Sequence, residues 1–196
     1  MFGSSAYKKA LRLIQSGRSR GDPECLELLQ TAAKANYAPA IHALATWYLH
    51  GTGVSRNFTR ATQLLQKAAN CGVAAAQYDL AICFEIGKGV PRSAIKAYSC
   101  YLQAANAGDI NAQREVARCL FYGIGVKASR PSAFEWYRRA AQRGDMESQY
   151  ATALAYEFGD GCRRNVHAAV SWYRKAAKNG CEAAQKIVQS SDLNLS

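Results

Sequence analysis

The chain has 196 residues, of which 49% are hydrophobic and 20% charged, and its formal net charge is +11. No run of about 18 apolar residues predicts a membrane-spanning helix, and no linker divides the chain, so we expect a single domain over residues 1–196. The amino-terminal stretch lacks an apolar core of signal-peptide length, which predicts a cytoplasmic protein, with an exported form whose leader was removed as the alternative.

A pair of glycines recurs four times at a fixed spacing of 36 residues. The pairs are Gly51/Gly53, Gly87/Gly89, Gly123/Gly125 and Gly159/Gly161. A period of this length is typical of a solenoid, in which each repeat packs on its neighbours. No segment shows the alternating pattern of a strand, so the sequence predicts an all-α solenoid of helix pairs.

Residues 1–36 are predicted to form a degenerate amino-terminal repeat. They keep the residue that closes each repeat, Asn36, and one glycine, Gly17. Lys8 and Arg12 stand where the later repeats have apolar residues. We therefore expect an atypical cap, as terminal repeats of solenoids usually are.

Four full repeats follow, over residues 37–72, 73–108, 109–144 and 145–180, and residues 181–196 add a capping helix (181–190) and a fraying tail. In each repeat a first helix, such as 39–50, ends at the glycine pair, and a second helix, such as 57–69, follows. Asn and Ser are preferred N-caps, and Gly or Asn closes a helix in the left-handed conformation. The predicted N-caps are Asn57, Ser93, Ser129 and Asn165, and the closing residues are Asn36, Gly72, Gly108, Gly144 and Gly180.

These columns resemble the Sel-one-like repeat, a relative of the tetratricopeptide repeat. The matching pattern, clearest over 40–72 and 150–180, is A-x3-L-A-x2-Y-x2-G-x-G-V followed by A-x2-W-Y-x-K-A-A-x2-G. The resemblance implies a right-handed α/α superhelix of antiparallel helix pairs, with the first helices lining a concave wall. It also implies roles in assembling protein complexes, in signalling or in contact between host and microbe.

Four positions of the first helix lie between its core positions, which in the first full repeat are Leu44, Ala45 and Tyr48. The residues at these four positions vary from repeat to repeat, as those of a recognition surface would. The predicted partner-binding residues on the concave face are His42, Thr46, His50, Tyr78, Ile82, Glu85, Arg114, Arg118, Phe121, Tyr122, Tyr150, Leu154 and Phe158. Arg114 and Arg118 are one helical turn apart, which suits them to hold a carboxylate or phosphate of an acidic partner. Two alternatives stay open: the aromatic residues pack against the adjacent repeat, and Glu85 or Glu115 neutralises the arginines.

No arrangement of residues predicts catalysis. The glycine pairs follow a helix and not a strand, so they are structural turns and not a nucleotide-binding loop. The seven cysteines are scattered in phase, which favours reduced, small core residues over a disulfide framework or a zinc site. We predict no catalytic residues, no metal, no cofactor and no small-molecule substrate.

The predicted function is a non-catalytic scaffold or adaptor that binds a peptide or protein segment in the concave groove. The alternative is a binder of nucleic acid or an anionic surface through basic residues in turns and on outer helix faces, among them Arg56, Lys88 and Arg130. No nucleic-acid reader motif is present, so we do not expect sequence-specific nucleic-acid binding. We do not expect membrane binding either.

Overall fold

The computed structural model describes residues 2–16 and 21–193, and all regular structure in these ranges is α-helical. The chain forms two compact units, unit 1 up to Ala107 and unit 2 from Gly108. Unit 1 contains α1 (Phe2–Gln15), α2 (Pro23–Lys34), α3 (Ala38–His50), α4 (Phe58–Asn70), α5 (Ala74–Ile86) and α6 (Ala94–Asn106). Unit 2 contains α7 (Ile110–Tyr122), α8 (Arg130–Gln142), α9 (Met146–Phe158), α10 (Val166–Lys178) and α11 (Glu182–Leu193).

Within each unit, every helix packs against the helix that follows it in sequence. The predicted all-α solenoid of helix pairs is therefore confirmed within the units. The fraying tail was placed too early, because α11 continues past Ser190 to Leu193. No Gly or Pro follows Gly180, so the sequence gives that helix no stop signal. Gly17 and residues 194–196 lie outside the described residues.

The predicted helix boundaries are confirmed by their caps. The Asn57 side chain accepts a hydrogen bond from the Arg60 backbone N–H at 2.9 Å, and Asn165 caps α10 in the same way at 3.0 Å. The closing residues have positive φ angles, from +56° at Asn36 to +96° at Gly180. These positive angles explain why Gly or Asn recurs at that position.

The two glycines of a turn have different structural roles: the first ends the helix, and the second allows close backbone packing. Gly87 ends α5 in the left-handed conformation, and its N–H donates to the carbonyl of Cys83 at 2.9 Å. Gly89 also has a positive φ angle, but its lack of a side chain matters more, because a methyl group there would overlap the Phe58 carbonyl at the start of α4. Gly161 approaches the backbone of Arg130, at the start of α8, in the same way.

Small residues dominate the core. The alanine of the second helix is buried in all four full repeats, at Ala61, Ala97, Ala133 and Ala169. A glutamine column was missed: Gln77, Gln149 and Gln185 each donate to the carbonyl of the residue eight positions earlier, in the last turn of the preceding helix, at 3.4, 3.2 and 3.1 Å. Each of these carbonyls also accepts from the backbone N–H of the closing glycine, so the glutamine amide supplies its second hydrogen bond.

The cysteines are free thiols and fit the core only in part. Cys25, Cys83 and Cys119 are buried, whereas Cys71 is exposed, so the prediction of core positions is wrong for Cys71. Burial raises the pKa of Cys83 to about 11, which keeps that thiol protonated near neutral pH. In the described residues, no helix is both long and apolar enough to cross a bilayer.

We predict that Gly89→Ala destabilises the protein more than Gly72→Ala. Both glycines have positive φ angles, +71° and +80°, and a Cβ in that conformation costs about 1–2 kcal/mol. A Cβ on Gly72 meets nothing within 4 Å, whereas one on Gly89 meets backbone, and such overpacking adds about 1–3 kcal/mol. Thermal unfolding followed by circular dichroism measures both variants. Equal losses would show that the close approach does not matter.

Candidate functional site

Each unit has a groove between two successive first helices, beside the glycine turns. Groove 1, of about 320 Å³, lies between α3 and α5 of unit 1, and its walls include Leu49, His50, Ile82 and Ile86, with Arg56, Phe58 and Lys88 from the turns and α4. Groove 2, of about 300 Å³, lies between α7 and α9 of unit 2. Its walls include Phe121, Tyr122, Leu154 and Phe158, with Arg130, Phe134 and Tyr137 from α8.

Six of the predicted partner-binding residues line these grooves: His50 and Ile82 in groove 1, and Phe121, Tyr122, Leu154 and Phe158 in groove 2. The last residue of each first helix is exposed. Ile86 is 51% exposed, Tyr122 67% and Phe158 72%, although all three are large and apolar or aromatic. Exposed apolar residues beside a groove are typical of interaction sites.

Groove 1 carries a net positive charge, because its lining holds two cations and one carboxylate. The Arg56 guanidinium and the Lys88 ammonium both lie over the ring of Phe58, at 5.3 and 5.4 Å from its centroid. Asp79 also lines the groove, but its carboxylate lies 2.8 Å from His42 Nε2. Neither Arg56 nor Lys88 forms an ion pair within residues 2–16 and 21–193. The two cations are therefore held in place by an aromatic ring.

Groove 2 is aromatic, and its charges are balanced. The Arg130 guanidinium lies 3.6 Å from the centroid of Phe121 and also pairs with the carboxylate of Asp160. The rings of Phe121 and Tyr122 meet edge to face at 4.8 Å. The groove therefore offers aromatic surface and a neutral ion pair at its margin.

Arg114 and Arg118 do not form an open clamp. Arg114 Nη1 lies 2.8 Å from Asp145 Oδ1, and its Nε lies 3.1 Å from Glu147. Arg118 Nε lies 2.6 Å from Glu115, which is the acidic neighbour that the sequence left as an alternative. Because both guanidinium groups have carboxylate partners in the chain, an incoming acidic group would have to displace them. We therefore expect their replacement to lower stability.

The other predicted residues also make contacts within their unit. Tyr78 packs on Tyr101 with ring centroids 5.6 Å apart, and Tyr150 packs on Tyr173 at 5.7 Å. Each of these contacts is with the second helix of the same repeat, and not with the adjacent repeat that the alternative named. Thr46 donates to the Ala43 carbonyl at 2.7 Å. These residues are half-buried and help to hold the grooves' walls in place.

Three basic residues in or next to the turns line the grooves, which the sequence did not predict. Arg56, Lys88 and Arg130 were placed in turns and on outer faces, but the structure brings them into the grooves. The chain folds back after each glycine pair, so that the Asn57 N–H donates to the Tyr48 carbonyl at 2.9 Å. Each of these residues lies within seven positions of the first glycine of a pair, and this closeness to a turn was the available signal.

Three of the second helices have a tyrosine at one equivalent position, Tyr101, Tyr137 and Tyr173, but its hydrogen-bond partner differs between the repeats. The hydroxyl of Tyr101 donates to Glu85 at 2.7 Å, and that of Tyr173 donates to Glu157. In the repeat between them, Phe121 replaces the glutamate, and the equivalent Tyr137 lines groove 2. Burial first, and then Tyr122 and Glu115, raise the pKa of Tyr137 to about 12, so its hydroxyl stays protonated and can donate.

The family model of the Sel1 repeat matches residues 38–73, 74–109, 110–145 and 147–181. The chain belongs to the Sel1 repeat family. The matched Sel1 repeats begin one or two residues later than the repeats that the sequence predicted. Sel1 repeat proteins are generally protein–protein interaction scaffolds and not catalysts.

Solved structures of Sel1 repeat proteins resemble this chain. A protective antigen of uropathogenic Escherichia coli is 28% identical, with a TM-score of 0.89 over 95% of this chain, which spans 40% of that protein. A Sel1 repeat protein from Oxalobacter formigenes is 27% identical, with a TM-score of 0.86 over 93% of this chain and 74% of that one. An immunity protein of Pseudomonas aeruginosa, 22% identical with a TM-score of 0.56 over 93% of this chain and 67% of its own, shares the fold. No curated protein matches the chain.

We predict that Tyr101→Phe destabilises this Sel1 repeat protein and that Tyr137→Phe does not. Tyr101 is 1% exposed and donates to a carboxylate, and loss of a hydrogen bond to a charged group costs about 1.5–3 kcal/mol. Tyr137 has no glutamate at the equivalent position, so its change should stay within about 0.5 kcal/mol. Denaturant unfolding compares the two variants. A similar loss in both would contradict the interpretation of this column.

Proposed function

We propose that this Sel1 repeat protein is a non-catalytic scaffold that binds a segment of another protein at grooves 1 and 2. The observation that carries the proposal is the exposure of Ile86 beside groove 1 and of Tyr122 and Phe158 beside groove 2. One core position of the same helices is alanine and fully buried in all four repeats (Ala45, Ala81, Ala117 and Ala153), whereas these large side chains are exposed. Aromatic residues in such positions are typical of binding hot spots.

The charge of groove 1 favours an acidic segment. Arg56 and Lys88 already give up part of their hydration to the Phe58 ring, and a partner carboxylate would supply the counter-charge that the groove lacks. This assigns the acidic preference to Arg56 and Lys88, since Arg114 and Arg118 have carboxylate partners of their own. Both cations are on turns, where the scaffold holds them beside Ile82 and Ile86.

The second candidate is a binder of nucleic acid or an anionic surface through the outer basic residues. The formal net charge of +11 favours it. Binding of that kind weakens steeply with salt and depends on many cations rather than on a particular pair. The two candidates therefore differ in a simple measurement.

We expect random linear peptides displayed on phage and selected on the protein to be enriched in acidic residues next to large apolar ones. The double variant Arg56→Ala/Lys88→Ala should bind the selected peptides about tenfold more weakly, because it removes two partly exposed charge contacts, ~1.4 kcal/mol together. The matched control is Lys34→Ala/Lys67→Ala, which removes the same charge from exposed positions of unit 1. Fluorescence polarisation of synthetic peptides gives the affinities.

Equal weakening by both double variants, together with binding of nonspecific double-stranded DNA that falls steeply with salt, would favour the second candidate. Failure of the wild-type protein to select any peptide would contradict the proposed function.

A further inference from the structure

We infer that groove 2 is a subsite for one large, uncharged apolar side chain of the bound segment, and that the Tyr137 hydroxyl donates a hydrogen bond to a carbonyl oxygen of the same segment. This inference rests on the proposed function and names the chemistry that one of its grooves recognises.

The pairing of tyrosine with glutamate is interrupted at Tyr137. Tyr101 and Tyr173 are held by glutamates on the first helix of their own repeat. At the same column of α7 the chain has Phe121, so Tyr137 lines the groove, and within the described residues its hydroxyl forms no hydrogen bond. The hydroxyl is not one of the buried polar atoms without a partner, so in the unbound protein it can donate to water, and a carbonyl oxygen of a bound segment would take the place of that water.

Groove 2 is large enough for one apolar side chain. Its volume is about 300 Å³, and its walls are mainly aromatic and aliphatic. An apolar cavity of about 150 Å³ is enough to bind benzene, so groove 2 accepts a phenylalanine- or leucine-sized side chain with room for the adjoining backbone. Phe158 and Tyr122 stand at its rim, 72% and 67% exposed, where they would cover an inserted side chain.

The charges at groove 2 favour an uncharged occupant. Arg130 is stacked on Phe121 and paired with Asp160, so it presents no uncompensated charge to an occupant. A charged side chain would lose hydration in groove 2 without gaining a counter-ion, whereas an uncharged one loses little. Groove 1 has the opposite property, because Arg56 and Lys88 lack a carboxylate. The two grooves therefore select different side chains.

The substitution Phe121→Glu gives the sharpest test, because it restores the residue that α5 and α9 have at this column. The introduced carboxylate can accept the Tyr137 hydrogen bond as Glu85 and Glu157 do, so we expect the fold to be retained. It also puts a negative charge into groove 2. The control is Val166→Glu, which introduces the same charge in unit 2 at a residue that is 50% exposed and outside the lining of groove 2.

The probes are the phage-selected peptides and synthetic versions in which the large apolar residue is replaced by alanine. We expect Phe121→Glu to weaken peptide binding at least tenfold, and Val166→Glu to leave it unchanged. In Phe121→Glu, the alanine peptide should bind as well as its parent, because the side chain has lost its pocket. Tyr137→Phe should weaken binding about two- to tenfold, the range for one neutral hydrogen bond.

Phe158→Ala keeps the test decisive if Phe121→Glu fails to fold, because a side chain that is 72% exposed contributes little to the core. It too should weaken binding of the parent peptide and not of the alanine peptide.

Unchanged affinity in Phe121→Glu, or in Phe158→Ala should Phe121→Glu not fold, would overturn the inference. If Arg56→Ala/Lys88→Ala still weakens binding in that case, the proposed function stands and only the subsite is wrong. Self-association of the wild type that Phe121→Glu abolishes, with peptide affinity intact, would show that a second copy covers groove 2, which also overturns the inference. Selection of no peptide at all would remove the proposed function and the subsite together.

Discussion

The contact that the second glycine of a turn makes with the start of the preceding second helix, seen at Gly89 in unit 1 and at Gly161 in unit 2, sets the geometry of the repeats. At Gly89 and Gly161 the backbone comes so close to Phe58 and Arg130 that no side chain fits between them. Each contact fixes how closely the turn of one repeat sits on the helix of the repeat before it within its unit. The grooves lie next to these contacts, so backbone packing holds their walls together with the ring contacts of Tyr78 and Tyr150.

Periodic and aperiodic positions of the repeat have different roles. The buried alanines, the left-handed closers and the glutamine amides recur because every helix pair needs the same close packing and the same caps. Phe121 interrupts a glutamate that occurs at the same column in α5 and α9, and this interruption leaves Tyr137 facing groove 2. Recognition is therefore expected where the repeat departs from its own pattern.

The period, the caps and the helix boundaries could be predicted because each depends on local backbone chemistry. Asn57 predicts an N-cap whatever the tertiary fold, because its side chain bonds to the backbone of the helix that it starts, and Gly72 predicts a left-handed turn.

The partners of Arg114 could not be predicted, since Asp145 and Glu147 reach it from the next helix pair. Arg56 and Lys88 were assigned to the outer surface because their position depends on how the turn folds back. The glutamine column was visible in the sequence and was overlooked, because glutamine was not expected in a core. The cytoplasmic location stays a prediction.

The most direct test of binding at the two grooves is photo-crosslinking with benzoylphenylalanine placed singly at Ile86, Phe158, Ile95 or Val166. All four residues are large, apolar and at least half exposed, but only Ile86 and Phe158 lie at the grooves. With a phage-selected peptide, we expect crosslinks from Ile86 and Phe158 and none from Ile95 and Val166. Crosslinks from Ile95 and Val166 alone would contradict binding at the first-helix grooves.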